Sequence, residues 1–312
     1  MKHKIFIDGR EGTTGLKICE RFAARDDTEL LEISETERKN PKSRLDRISE
    51  AEIAFLCLPD AASREIAAAV AEAGVKTRLI DASGAHRTAP DWVYGLPELT
   101  PAQSGRIAAA QRIAVPGCHA TGFILLARPL IEAGVTGADY PFSFCSVTGY
   151  SGGGKGMIAE YAQRDDLKAP RQYGLSQAHK HLPEIEAFSG ARAPVLFNPI
   201  VADYYSGILV TVPLHRRLFR KKTRLRELYE LFAARYAGRP LIKVLEPGRE
   251  SDDGFLAADA LSGQSGLEIL LYGREDRIVI AARYDNLGKG ASGAAVQCMN
   301  LMLGLPEASW LM

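Results

Sequence analysis

The sequence predicts an α/β protein in which a doubly wound parallel sheet is joined to an α+β domain with a mainly antiparallel sheet. Three observations carry this. Short β-rich runs alternate with amphipathic helical runs through the first hundred residues or so, as strands joined by crossover helices must. A glycine turn, GREGTTG at 9–15, lies between the first strand and the first helix, where a nucleotide-binding sheet places its phosphate loop. After Cys118 the β-rich runs lengthen and the helices between them become fewer, which suits antiparallel pairing.

In order, KIFID reads as a strand, and LKICERFAAR as a helix with apolar positions at Leu16, Ile18, Cys19 and Phe22. ELLEIS is a second strand, followed by the polar stretch ETERKNPKSR. EIAFLCLP is a buried strand stopped by proline, AASREIAAAVAEAG a helix, and TRLIDAS another strand. PFSFCSVTGYSGGG, APVLFNPIVA, YYSGILVTVPL and DRIVIAARYDN then supply the second sheet. KGASGAAVQCMNLMLGL returns to helical spacing and is expected to pack back on the first domain. The boundaries that follow are a doubly wound, Rossmann-type domain at 1–117, completed by 286–312, and an α+β domain at 118–285.

Composition narrows the function. A chain of 312 residues with 46% hydrophobic and 25% charged residues buries a large core, and a net charge of +1 gives no general attraction to nucleic acid or anionic membrane. The five cysteines form an odd set without a CxxC pair, against both a disulfide framework and a structural zinc module, and in keeping with a reducing cytoplasm. No signal peptide or membrane anchor is expected.

In a doubly wound sheet, ligands collect beyond the carboxyl ends of the strands. Those places are Gly9 to Gly15, Ser34 to Lys39, Leu58 to Asp60 and Asp81 to Arg87. Gly9, Gly12 and Gly15, with Thr13 and Thr14 between them, are spaced to let backbone N–H groups and a helix start hold a pyrophosphate. Leu58, Pro59 and Ser83 lie on the neighbouring loops. The second strand ends near Ser34, Arg38 and Lys39 rather than in a lone acid, which favours a 2′-phosphate and hence NADP, although Glu32, Glu35 and Glu37 share the segment.

VPGCHATG places Cys118 after a Pro-Gly turn and before an apolar helical run. A helix start favours thiolate over thiol, and the small Thr121 and Gly122 are read as leaving room for a substrate to approach the sulfur. Cys19, Cys57 and Cys298 sit in apolar periodic segments and read as structural, and Cys145 is expected to point into the core. AHKHLPEIE supplies His179, His181 and Glu184; this is too few ligands for zinc, so no metal is expected, and either imidazole suits general acid and base work near pH 7. TGYSGGGKG offers Gly152 and Gly153 to a phosphate or a carboxamide, or forms a flexible hairpin. The basic run RRLFRKKTRLR is read as solvated charge opening a helix.

Together these segments resemble the short form of the N-acetyl-gamma-glutamyl-phosphate reductases, relatives of the aspartate-semialdehyde dehydrogenases, over nearly the whole chain. The resemblance rests on PGCxxTG around Cys118, YGLPEL at 94–99, HKHLPEIE, and DNLGKGASGAAVQCMNLMLG at 285–304. His119 stands where the family signature usually has an aromatic residue, Val115 where asparagine is common, and DASGAHR where many members carry an aspartate and an aromatic before the arginine. The resemblance implies NADPH-dependent reduction of N-acetyl-glutamyl 5-phosphate to the 5-semialdehyde through a Cys118 thioester, in arginine synthesis, by a homodimer or homotetramer. As acid and base His181 is assigned first and His179 second, since the sequence does not show which imidazole faces the sulfur. Asn286 falls on the cofactor side, Arg87 or Lys155 is a candidate for the phosphate, and Glu184 for the imidazole or the substrate. A reductase of aminoadipyl or aspartyl phosphate, or a noncatalytic NADP-binding redox sensor, are the rival readings.

Overall fold

The computed structural model describes residues 2–23, 25–248 and 254–311. The chain forms two compact units, one of residues up to Pro116 together with Ala291–Leu311, the other Gly117–Gly290. The first opens with β1 (His3–Asp8), α1 (Thr13–Phe22), β2 (Thr28–Leu31), α2 (Pro41–Glu50), β3 (Ile53–Leu56) and α3 (Asp60–Glu72). It continues with β4 (Arg78–Asp81), β5 (Val93–Tyr94), α4 (Gln103–Ala109) and β6 (Arg112–Ala114). The six strands run in the order β2-β1-β3-β4-β6-β5, every neighbour parallel. Such a sheet needs apolar faces on both sides, and Phe6, Ala54, Leu56, Leu79 and Ala114 meet Ile48, Ile66 and Val70 of the helices in its core.

Register brings the strand ends level. Asp8 pairs with Leu56, Leu56 with Asp81, and Asp81 with Ala114. The loops that begin at Gly9, Cys57, Ala82 and Val115 therefore leave one edge of the sheet together. The ETERKNPKSR stretch, read above as merely polar, contains the start of α2: Asn40 caps it by accepting from the N–H groups of Lys42 and Ser43, and Pro41 opens its first turn. Only Arg44 and Ile48 of this helix are buried, too few to show a helical period. Arg44 grips Asp8 at the end of β1 through Nε and Nη2, at 2.9 and 2.7 Å. Burial pushes the Asp8 carboxyl up and the Arg44 hydrogen bond pulls it back.

The second unit contains α5 (Cys118–Glu132), β7 (Ser143–Gly149), α6 (Gly154–Gln163), β8 (Arg171–Gln172), α7 (Leu182–Ser189), β9 (Leu196–Ala202) and β10 (Ile208–Leu214). It ends with α8 (Leu225–Arg235), β11 (Ile242–Val244), β12 (Leu267–Arg274) and β13 (Arg277–Tyr284). Its seven strands lie in the order β11-β12-β13-β10-β7-β9-β8. The sheet is mixed: β7 and β9, and β11 and β12, pair in parallel, while the remaining neighbours are antiparallel. The apolar helix α5 packs on β10 and β13, and Phe123 stacks on Phe144, which stacks on Phe197, at ring separations of 4.6 and 4.4 Å.

Past β13 a π turn, Gly288–Ser292, leads into α9 (Gly293–Met302). That helix belongs to the first unit and packs on α4 and β4. The basic run differs from its expectation: a 3-10 turn at Arg216–Leu218 and a loop precede α8, which begins only at Leu225. TGYSGGGKG is a 3-10 turn at Tyr150–Gly153 running directly into α6, not a hairpin. Among the described residues no helix is long and apolar enough to cross a membrane.

Removing one member of a buried ion pair strands the other. Arg44→Met should lower the unfolding free energy by about 3–5 kcal/mol in urea titration, and Asp8→Val added to it should recover most of that loss.

Candidate active site

The glycine turn of the first unit is built for close approach. Gly9 has φ +82°, and a Cβ there would lie 2.3 Å from the Cys57 carbonyl oxygen; a Cβ on Gly15 would lie 2.5 Å from that of Gly9. Gly12 donates to the Gly9 carbonyl at 2.9 Å and serves as N-cap of α1 without a side-chain cap. The first turn of that helix thus keeps its N–H groups for an anion. Thr13 Oγ1 is buried with no hydrogen-bond partner. A bare backbone concavity with an unmatched hydroxyl fits the pyrophosphate of a dinucleotide.

Beside this turn a cavity of about 330 Å³ is lined by Gly9, Arg10, Glu32, Arg38, Lys39 and Leu58, among others. Arg38 pairs with Glu35 at 2.6 Å and Arg10 reaches Glu32 at 3.4 Å. The cations predicted for a 2′-phosphate do line the cavity, each arginine with an acidic neighbour. Arg10 was missed, because a residue inside a glycine turn gives no sign of where its side chain goes. Ser34 bonds Thr36 at 3.1 Å, Thr14 is half-buried in α1, and Pro59 is exposed at the N-cap of α3.

At the end of β4 the buried Asp81 accepts from Ser83 N and Ser83 Oγ at 2.8 and 2.9 Å, and its Oδ2 lies 2.6 Å from His86 Nδ1. His86 stacks on Trp92 with ring centroids 4.1 Å apart, keeping the flat contact an aromatic would make there. The neighbouring Arg87 is buried and donates from Nε to the Val115 carbonyl at 3.0 Å. Glu98 of YGLPEL is buried and accepts from Gln297 of α9 at 2.9 Å.

In the second unit Gly117 is the N-cap of α5 and Cys118 its first residue. From Ile113 to Ala127 every residue is buried except Cys118, which is partly exposed. Two side chains close on Gly117. Glu184, from the first turn of α7, accepts from Gly117 N at 3.1 Å; a Cβ on Gly117 would lie 2.4 Å from His181 Nε2 and 2.6 Å from Glu184 Oε1. His179 accepts at Nδ1 from the backbone N–H of His181 at 3.2 Å, and the two rings stand 4.6 Å apart. The structure therefore brings Cys118, His179, His181 and Glu184 together, with His181 the imidazole packed on the glycine before the cysteine.

His119 points the other way. It is buried, with Nδ1 2.6 Å from Ser146 Oγ and Nε2 2.7 Å from Tyr173 Oη. Burial first, then His179 and Lys180, pull its imidazole down to about 3. It stays neutral at working pH. The Tyr173 hydroxyl, missed by the sequence reading, is pushed upward by burial and then by Cys118.

Three expectations need correction. Gly122 does not leave space for substrate: Tyr284 Oη fills it, and a Cβ there would lie 2.7 Å from that oxygen. Thr121 is buried with its hydroxyl on the Gly117 carbonyl at 3.1 Å. Cys145 does not point into the core, because on β7 it alternates with buried Phe144 and Ser146 and lies on the partly exposed face. Gly152 and Gly153 are exposed in the 3-10 turn, and Lys155 is exposed in α6. Asn286 is buried, accepting from Gly207 N at 2.8 Å and donating to Ser151 Oγ at 3.0 Å. Among the described residues no group of three or more His, Cys, Asp and Glu is placed to hold a metal.

Comparison with known proteins places this arrangement. Residues 5–107 match the semialdehyde dehydrogenase NAD binding domain and residues 118–286 the semialdehyde dehydrogenase dimerisation domain. The chain is 45% identical over 310 residues to N-acetyl-gamma-glutamyl-phosphate reductase of Brucella suis, covering 97% of this chain and all of that one. It is 44% identical over 308 residues to N-acetyl-gamma-glutamyl-phosphate reductase 2 of Pseudomonas putida, covering 97% and 98%. The chain belongs to the N-acetyl-gamma-glutamyl-phosphate reductase family. In fold it is similar to aspartate semialdehyde dehydrogenase of Francisella tularensis, with TM-score 0.74 at 16% identity over 96% of this chain and 100% of that one. The enzyme of Candida albicans with NADP gives 0.65 at 14%, covering 97% and 99%.

His119 packs its ring on Phe197 at 5.1 Å and meets a hydroxyl at each nitrogen. Because the folded chain leaves it unprotonated between about pH 6.5 and 3 while the unfolded chain takes up the proton, it removes stability as pH falls through that window. His119→Phe should abolish that dependence, so its loss of unfolding free energy between pH 7 and pH 5 should be smaller than that of the parent by about 2 kcal/mol in urea titrations.

Proposed function

We propose that the protein is an oxidoreductase that reduces N-acetyl-L-glutamyl 5-phosphate to N-acetyl-L-glutamate 5-semialdehyde with NADPH, releasing phosphate, in arginine biosynthesis. The observation that carries the mechanism is Cys118, the one partly exposed residue of a buried run, at the first position of a helix with His181 packed on the glycine before it. The names of relatives at 44% and 45% identity support the substrate.

NADP would be held by the first unit, with Gly9, Gly12, Thr13 and Gly15 at the pyrophosphate and Arg38 and Lys39, joined by Arg10, at the 2′-phosphate; Leu58, Pro59, Ser34, Thr14 and Ser83 are the further candidates for contact with it. When bound it supplies the hydride. The chain does the rest. Cys118 Sγ attacks the acyl carbon, its proton passing to His181; phosphate leaves with the electrons of the C–O bond and a thioester remains. The uncapped N–H groups at the start of α5 hold the carbonyl oxygen, whose negative charge grows on reduction. Collapse then re-forms the C=O bond, expels the thiolate and frees the aldehyde. A proton returns to sulfur through the same imidazole.

His179 supports His181 by accepting its backbone N–H. Glu184 is assigned to the helix start, where its carboxylate holds Gly117 N–H. Arg87 and Lys155 are the candidates for the leaving phosphate; Arg87 also holds Val115, three residues before the nucleophile. Gly152, Gly153 and Asn286 are the second unit's candidates for contact with the cofactor, Asn286 bracing the glycine turn through Ser151. The enzyme works in a reducing cytoplasm, all five cysteines being free thiols.

It assembles as a homodimer or homotetramer through the sheet of the second unit, where Cys145, Val147, Ile200 and Leu209 form a partly exposed row across three adjacent strands. Sedimentation equilibrium giving a monomer would remove that part.

Cys118→Ser should abolish phosphate-dependent oxidation of the semialdehyde and leave NADP binding intact. Hydroxylamine added with the acyl phosphate should yield a hydroxamate from the parent and none from the variant; none from either would favour a redox sensor. Competition among acetylglutamyl, aminoadipyl and aspartyl semialdehydes separates the rival substrates, since one methylene is worth only about 1–3 kcal/mol. His181→Asn should slow turnover by about 10²–10⁴-fold and remove one limb of its pH profile, whereas an unchanged profile transfers the role to His179.

A further inference from the structure

Tyr284 is the last residue of β13 and is fully buried. Its hydroxyl donates to the Cys118 carbonyl at 2.5 Å and accepts from Gly122 N at 2.9 Å. The directions are fixed: Gly122 N–H can only donate, so the single phenol proton goes to the carbonyl. These two backbone groups are the pair that a regular i→i−4 helical bond would join. A side-chain hydroxyl from 162 residues away therefore bridges them in the first full turn of the helix that carries the nucleophile.

The contact is built into the core. Tyr284 pairs with Ile208 on one side and Leu267 on the other, in the middle of the sheet, so the phenol has no freedom to drift. A Cβ on Gly122 would strike Oη at 2.7 Å and Val210 Cγ2 at 2.7 Å, so glycine is what admits the ring. The chain beyond β13 then folds over the cysteine, because a Cβ on Gly290 would come within 2.8 Å of Cys118 Cβ. Burial, then Cys118, push the phenol well above its ordinary range, which keeps it a donor.

We propose that Tyr284 is a positioning residue for the reaction: by binding the Cys118 carbonyl it fixes and polarises the Cys118–His119 peptide, so that the His119 N–H on the opposite side of the same plane serves the sulfur and the oxyanion. The peptide is planar and trans, so holding its oxygen holds its N–H. That N–H is one of those at the helix start with no helical acceptor. A hydrogen bond accepted at one end of a peptide strengthens the donor at the other. The proposal rests on Cys118 being the nucleophile, and its test reads the thiol directly, without turnover.

In the full chain, Tyr284→Phe should raise the pH midpoint of Cys118 alkylation by iodoacetamide, followed by peptide mass spectrometry, by about one unit, a roughly tenfold slower reaction at pH 7. The kcat should fall by about 10–100-fold, with KM for the semialdehyde and the Kd for NADP changed less than about twofold. The other titratable groups near this helix start, His181, Glu184, His179, Tyr173, Asp285 and Lys289, remain in both proteins, so the shift reports the missing bond. A folded variant with the parental alkylation midpoint and kcat overturns the proposal and leaves Tyr284 a strut. If Tyr284→Phe does not fold, Gly122→Ala displaces the hydroxyl and keeps the phenol; the same shift is expected, and its absence overturns the proposal. The double variant should shift no further than either single one, because both break one bond; additive shifts overturn it. Failure of the nucleophile reading shows itself separately, as turnover retained by Cys118→Ser.

Discussion

The structure of the second unit depends on how the first turn of α5 is held, because that turn is where a buried apolar helix has to present uncapped N–H groups and a partly exposed sulfur. Water ordinarily satisfies such groups, and here most of the surroundings are protein. Two of its contacts come from elsewhere in the chain, where Glu184 takes Gly117 N–H and Tyr284 bridges Cys118 and Gly122, and one from within the turn, where Thr121 returns its hydroxyl to the Gly117 carbonyl. With those fixed, what remains open is the space around one side chain. A loop could not hold this geometry; a helix wedged on a seven-stranded sheet can.

Glycine does different work in the two units. At Gly9 and Gly15 the missing Cβ allows two stretches of backbone to touch, which leaves a concave surface of amides. At Gly117 and Gly122 it admits side chains against a helix: an imidazole and a carboxylate at the first, a phenol at the second. The same residue type thus makes an anion cradle in one place and a set of side-chain seats in the other. The buried histidine next to the nucleophile belongs to the second pattern. His119 is kept neutral by burial, and its two hydroxyl partners tie β7 and the loop after β8 to α5, so the polar residue stands in for packing that an aromatic ring would supply without partners.

Much of the architecture was legible because periodicity and turn chemistry are local. The β-α alternation, the glycine turn and the helix beginning at Cys118 are all written in stretches of fewer than twenty residues. The misses have equally physical causes. α2 escaped because only two of its residues are buried, so its apolar period is nearly empty. The parallel pairing of β7 with β9 escaped because strand direction is set by the route of the intervening chain, not by the strand's own residues. Cys145 was assigned to the core because a short run such as SFCSV carries both faces, and the alternation alone does not say which is inside.

The sequence by itself determined the chemistry: a cysteine after a glycine, two histidines one residue apart, and a glycine loop after a strand can be recognised wherever they fall, since each needs only its neighbours in the chain. Tertiary structure alone decided which atoms act on which. Gly117 meets His181 and Glu184 across more than sixty residues, and Gly122 meets Tyr284 across 162. Sheet register and helix packing set such distances, and no local signal encodes them, because a tyrosine ending a strand looks the same whether its hydroxyl meets solvent or the carbonyl of a nucleophile.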